Sequence, residues 1–191
     1  LPPELVEQYG IRVIPVHMIF GGKTYRDGVD ITPRRLYELL SEAEQLPTTS
    51  APSVGEFLAL YQKAGKGADS ILCIPYASAL GMGFNAALAA SKLVNSPLVR
   101  VIDSRTAMMA EGFTALEAAR AAAQGESLGE VVKRAQALIP RTKLLFTLET
   151  LEYLRRGGRI SGPQAMVGTA LRIKPIIHVT QKGTLEVLYG R

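Results

Sequence analysis

Cysteine occurs once in 191 residues, at Cys73, so no disulfide can form within the chain. Lying in Ser70-Ile71-Leu72-Cys73-Ile74, it is expected to be a small hydrophobe in a short buried strand. Histidine occurs at His17 and His178, and neither has the carboxylate or cysteine neighbours in sequence that metal ligation requires. No Gly-x-Ser-x-Gly elbow is present, which removes one signature of nucleophilic hydrolysis. Aromatic residues make up 6% of the chain and do not alternate with basic ones, and no nucleic-acid reading motif appears; nucleic acid is therefore not an expected partner. No apolar run approaches the roughly 20 residues that cross a bilayer. With no leader evident and a single thiol, the expected location is the reducing cytoplasm. Internal repeats, low-complexity tracts and long Pro/Ser linkers are also missing.

What is present is ample material for a core, since 47% of the residues are hydrophobic. Twenty-two basic residues against 17 acidic ones leave a net charge of +5, and several of the basic ones fall between Arg155 and Lys174. A local basic face is expected, not a uniformly basic body.

The pattern predicts an α/β fold. Ile11 to Phe20 reads as a strand that stops at Gly21-Gly22, with Pro15 marking an edge or bulge. Thr32-Pro33 starts a helix to about Glu44, and Ser53-x-x-Glu56 is a capping box for the next. Ile71–Ile74, a helix over 85–94 and Leu98–Ile102 then repeat the strand, helix, strand rhythm of a parallel sheet. Helices follow over 107–123 and 127–138, then a strand over 143–148 and short helices over 150–156 and 163–171. A hairpin closes around Lys182-Gly183. The character changes near Pro140, which suggests a domain over 1–140 and the start of a smaller α/β subdomain with a mixed sheet over 141–191, the segments of the two free to interleave.

Two small-residue loops stand out: Pro47-Thr48-Thr49-Ser50-Ala51-Pro52-Ser53 and Ala77-Ser78-Ala79-Leu80-Gly81-Met82-Gly83. Hydroxyls and bare amides beside apolar segments suggest an anion cradle with greasy surroundings, and the Ser78 loop leaves the end of the Ile71 strand, where ligands bind open α/β sheets. The plainer alternative is that the glycines permit a tight turn and that Thr49-Ser50 is a helix entry. Arg155, Arg156 and Arg159, near Arg172 and Lys174, suit an acidic protein surface or anionic lipid heads, or else form a solvated helix end. Asp103-Ser104-Arg105 is the candidate of a rival reading, a hydrolase or phosphotransferase, and it requires a histidine or metal beside it in the fold.

Four blocks occur in one order: Tyr25-Arg26-Asp27-Gly28-Val29-Asp30-Ile31-Thr32, Thr49-Ser50-Ala51-Pro52-Ser53, Val101-Ile102-Asp103-Ser104, and Leu151-Glu152-Tyr153-Leu154-Arg155-Arg156-Gly157-Gly158-Arg159-Ile160-Ser161. In these the chain resembles the DegV family over nearly its whole length. The resemblance implies a two-domain α/β protein that is not an enzyme. It implies one bound long-chain fatty acid as ligand, with no other cofactor, the carboxylate at the domain interface and the acyl chain buried. It further implies a separate fatty acid kinase as partner, making an acyl phosphate for phospholipid synthesis, and a transient contact with the membrane surface. Family segments before Leu1 and after Arg191 are also implied.

Carried over by position, the fatty-acid-binding residues are Thr49, Ser50, Ser78, Gly81 and Met82, and the docking residues are Arg155, Arg156 and Arg159. One departure is evident. Gly81 stands where the family has a carboxylate-binding serine, Met82 where it has glycine and Gly83 where it has threonine. A lost hydroxyl of that kind removes a charge-assisted hydrogen bond of about 1.5–3 kcal/mol. Ser78 or Tyr76 is then the candidate substitute. The last alternative is a scaffold that no longer binds lipid and works through its basic face.

Overall fold

The structure is a computed structural model that describes residues 1–41, 45–161 and 174–188. In chain order these form α1 (Pro3–Gln8), β1 (His17–Phe20), β2 (Lys23–Arg26), α2 (Pro33–Ser41), β3 (Thr48–Ser50), α3 (Val54–Ala64), β4 (Ser70–Cys73), a 3-10 turn (Ser78–Leu80), α4 (Gly83–Ser91), β5 (Leu98–Val101), α5 (Met108–Ala123), α6 (Leu128–Leu138), a second 3-10 turn (Ile139–Arg141), β6 (Leu145–Thr147), α7 (Glu152–Arg156), β7 (Ile176–Val179) and β8 (Leu185–Leu188). The helix expected over 163–171, the last residues of the helix expected to end at Glu44, and Arg172 lie outside the described residues.

β1 pairs antiparallel with β2 on one side and β3 on the other. Gly21 and Gly22 both take left-handed φ, +55° and +74°, the geometry of the two-residue turn that suits a twisted hairpin. The sequence reading ended a strand at those glycines and missed the return strand Lys23–Arg26, whose basic ends mask the pattern. It also treated Thr48–Ser50 as a loop, whereas the structure makes it β3, with Met18 opposite Thr49 and His17 opposite Ser50. The first strand is shorter than expected and central in its sheet, not at an edge, because Pro15 precedes the paired segment and takes no part in the ladder. The Tyr25–Ile31 block closes on itself: Arg26 donates to Asp30 through Nε and Nη2, each at 2.9 Å, its backbone amide donates to the same carboxylate, and the neighbouring Ile31 is buried.

β4 and β5 are parallel, with α4 as the crossover between them. Alternation along these strands sends Ile71, Cys73, Val99 and Val101 to a cluster with Phe57, Tyr61, Ala87 and Ala90 of α3 and α4. Leu72, Ile74 and Ile102 go to the other face, against Ala118, Ala121, Val131 and Ala135 of α5 and α6. Helices on both faces of a parallel pair are the doubly wound α/β arrangement. Ser53 forms the reciprocal capping box with Glu56, and Ser127, which with Glu130 has the same Ser-x-x-Glu spacing, caps α6 by accepting from the Glu130 amide.

β6, β7 and β8 form an antiparallel sheet. Its inner face carries Ile177, Val179, Leu185 and Val187, which pack with Leu151 and Ile160 in a third cluster. A fully buried side chain of this size contributes about 1.5–3 kcal/mol. Leu80, from the turn before α4, is packed against this cluster, so the loop after β4 joins the parallel sheet to the third one.

Candidate functional site

The register of β4 and β5 sets Cys73 beside Val101, so the loops leaving both strands emerge at the same sheet end. There the Asp103 carboxylate accepts from the Ser78 hydroxyl at 2.6 Å, from the Ser78 amide at 3.2 Å and from the Arg105 amide at 2.8 Å. The Thr106 carbonyl accepts from the Ala77 amide at 2.7 Å. Arg105 takes a left-handed φ of +52°, held by Asp103 on one side and by the β7–β8 turn on the other. Gly183 of that turn packs so closely on Ala77 and Arg105 that a Cβ there would meet Ala77 Cβ at 2.8 Å.

This lacing decides what each predicted residue can do. The Ser78 hydroxyl hydrogen is committed to Asp103, which makes Ser78 an anchor of the loop and leaves only its lone pairs facing outward. Thr49 and Ser50 are exposed on β3, and neither hydroxyl has a hydrogen-bond partner among the described residues. No hydrogen bond joins them to the Ser78–Met82 loop; the link is indirect, through α3, which follows β3, and α4, which follows the loop. Those helices pack together, with the Tyr61 hydroxyl donating to the Ala87 carbonyl at 3.2 Å. Gly81 and Met82 lead into α4, and the Met82 side chain is exposed. Tyr76 reaches back to this loop, its phenol oxygen accepting from the Gly83 amide at 3.3 Å.

A cavity of about 430 Å³ opens beside the loop, lined by Asp103, Arg105, Lys143 and Thr180 among others. It is not lined by Thr49, Ser50, Ser78, Gly81 or Met82.

The serine of the rival catalytic reading is committed within the fold. Ser104 is fully buried, and its hydroxyl bonds to the backbone of Thr106, donating to the carbonyl and accepting from the amide. His17 is engaged by Glu56 at 2.8 Å, and His178 stands 3.6 Å from Glu186. Sequence neighbours could not reveal the His17–Glu56 pair, because the two residues lie 39 positions apart and meet only when α3 packs beside β1. Glu56 is held below the ordinary carboxylate range chiefly by the Ser53 amide, with His17 adding to the effect. Among the described residues, no group of three or more His, Cys, Asp or Glu stands close enough to hold a metal ion.

The basic segment is partly neutralised within its own helix. Glu152 accepts from Arg155 at 2.8–2.9 Å and from Arg156 at 2.6 Å, which holds its carboxyl down to about 2. Arg159 donates to the Gly157 carbonyl, and Lys174 pairs with Glu149. Three arginines against one carboxylate still leave a positive surface.

Helices on both faces of a parallel pair, a loop of small residues at the strand ends and an adjoining antiparallel sheet define an α/β protein with its polar site at a junction between sheets. A family model described as "Uncharacterised protein, DegV family" matches residues 1–189. The chain belongs to the DegV family. It is 36% identical over 183 residues to Protein DegV of Bacillus subtilis, covering 95% of this chain and 65% of that protein. It thus spans about two thirds of the length of that relative. Among solved structures, a fatty-acid-binding DegV family protein from Thermus thermophilus superposes with a TM-score of 0.89 at 33% identity, covering 99% of this chain and 67% of the other. DegV of Bacillus subtilis, described as a fatty acid binding protein, superposes at 0.86 with 33% identity, over 100% of this chain and 69% of the other.

Proposed function

We propose that this chain belongs to a cytoplasmic long-chain fatty-acid carrier, in which it holds the carboxylate and presents it to a separate fatty acid kinase for acyl-phosphate formation. The single observation that carries the reading is the loop before α4. Within a few residues it sets amides at Met82, Phe84 and Asn85 that have no partner among the described residues beside Leu80, which packs into the apolar cluster of the third sheet. Donors and apolar surface so close together suit an amphipathic anion. The fatty acids bound by the structural relatives from Thermus thermophilus and Bacillus subtilis support the same class of ligand.

In this reading residues 1–140 supply the head-group loops, with Thr49, Ser50, Gly81 and Met82 at the carboxylate and Ser78 fixing the loop from behind. Residues 141–191 begin the second subdomain, whose core receives the acyl chain. Each buried methylene adds about 0.8 kcal/mol, so the chain supplies most of the affinity and the head group its direction. The protein performs no covalent step of its own: it sequesters and presents. Arg155, Arg156 and Arg159 form the surface that meets the kinase or, in passing, an anionic membrane.

The test is mass spectrometry of lipid extracted from freshly purified protein, with a Thr49→Ala, Ser50→Ala double variant beside it. The expected result is a stoichiometric fatty acid, depleted in the variant. Wild-type protein that carries no acid and takes up neither oleate nor palmitate overturns the proposal.

A further inference from the structure

Tyr76 accounts for both glycines of the loop before α4. A Cβ on Gly81 would stand 2.9 Å from the Tyr76 phenol oxygen and 3.2 Å from Cε2, and a Cβ on Gly83 would stand 2.9 Å from Cε1 and 3.0 Å from Cζ. Gly81 has φ 168° and ψ −174°, extended backbone open to any residue, so the phenol and not strain excludes a side chain there. The phenol oxygen therefore stands 2.9 Å from where a side chain of residue 81 would begin. It accepts from the Gly83 amide at 3.3 Å, and its own hydrogen has no acceptor among the described residues. Next to it the amides of Met82, Phe84 and Asn85 also have no partner among the described residues, at the start of a nine-residue helix with no acidic residue in its first turn. An oxyanion is favoured there by open amides and by the helix dipole, and the phenol, held at the loop by its bond from the Gly83 amide, adds a donor.

We propose that Tyr76 supplies the side-chain hydroxyl that binds the ligand carboxylate in this protein. Its O–H, held over Gly81 and Gly83, donates to a carboxylate oxygen, and a side chain on either glycine would push the ring aside. The proposal rests on the fatty-acid reading above and names the residue that selects an acid over a neutral lipid.

Tyr76→Phe keeps the ring over the glycines and removes one oxygen. Calorimetric titration of the delipidated full chain with oleate and with oleyl alcohol separates a head-group role from a structural one. The expected result is a loss of oleate affinity of roughly tenfold to a hundredfold, the range of a charge-assisted hydrogen bond, with alcohol affinity held within about twofold. Equal losses for both ligands make Tyr76 a packing residue and overturn the proposal, as does an unchanged oleate affinity. Wild-type protein that binds neither ligand overturns the fatty-acid reading itself, and this proposal with it. A swap gives an independent arm. Gly81→Ser alone should weaken oleate binding, because its Cβ collides with the phenol, whereas Gly81→Ser added to Tyr76→Ala should strengthen it relative to Tyr76→Ala. No gain from serine in that background counts against a hydroxyl at this position.

Discussion

Gly183→Ala is expected to damage the junction between the two sheets and, through it, the loop of the proposed site. Gly183 has φ +81°, and a Cβ there would lie 2.8 Å from Ala77 Cβ, 3.4 Å from Arg105 Cα and 3.5 Å from Arg105 C. Two costs follow. Left-handed backbone with a side chain costs about 1–2 kcal/mol. Overpacking adds about 1–3 kcal/mol, and these neighbours are backbone atoms or the first side-chain carbon, which cannot rotate away. The sum, about 2–5 kcal/mol, corresponds to a fall in Tm of very roughly 4–20 °C for a chain of this size. Thermal and urea denaturation measure it. A second variant divides the two costs: Ala77→Gly removes the nearest obstructing atom and leaves the backbone cost, so the pair should show a favourable coupling of about 1–3 kcal/mol in a double-mutant cycle. Oleate affinity should fall in Gly183→Ala and recover in the pair. A Gly183→Ala protein within about 0.5 kcal/mol of wild type, or no coupling to Ala77→Gly, refutes the docking of this turn on the Ser78 loop.

Two further outcomes follow from polar groups. Burial pushes the Glu111 carboxyl from 4.5 up to about 7, so the neutral form is the one the fold prefers. Its contribution is fully present below about pH 4.5 and is lost as pH rises through about 7. Glu111→Gln should therefore flatten that part of the stability profile and raise stability at pH 8 by at most about 3 kcal/mol, read from denaturation midpoints across pH; a profile identical to wild type refutes the assignment. Asp103→Ala removes the acceptor shared by Ser78 and Arg105 and should cost about 2–4 kcal/mol, with a parallel loss of oleate affinity, while Asp103→Asn, which keeps one acceptor oxygen, should cost less. Equal stability of Asp103→Ala and wild type in urea would show that the anchor does not matter.

Several elements were legible because their signals are local. The Ser53-x-x-Glu56 and Ser127-x-x-Glu130 boxes announced two helix starts, and the structure forms both caps. The β7–β8 hairpin followed from Lys182-Gly183 between two alternating segments. The return strand β2 and the hydroxyl strand β3 were missed because neither has an apolar stripe. β1 lies between them and supplies their pairing, a non-local cause that no short window contains. The two small-residue loops were visible as candidates from composition, yet their present roles were not. Ser78 turned out to be occupied by Asp103, 25 residues on, and Tyr76 to lie over Gly81 and Gly83.

The sequence by itself determined the family, the parallel α/β character and the residue types available at the polar loops, because periodicity, caps and ordered motif blocks are properties of neighbours along the chain. Tertiary structure alone decided which of those groups stay free. The parallel register of β4 and β5 brings Asp103 to Ser78, and the packing of Gly183 on Ala77 and of Leu80 on the third sheet fixes the loop. A hydroxyl's availability depends on what stands within about 3 Å of it, and that distance is set by chain segments that only folding brings together.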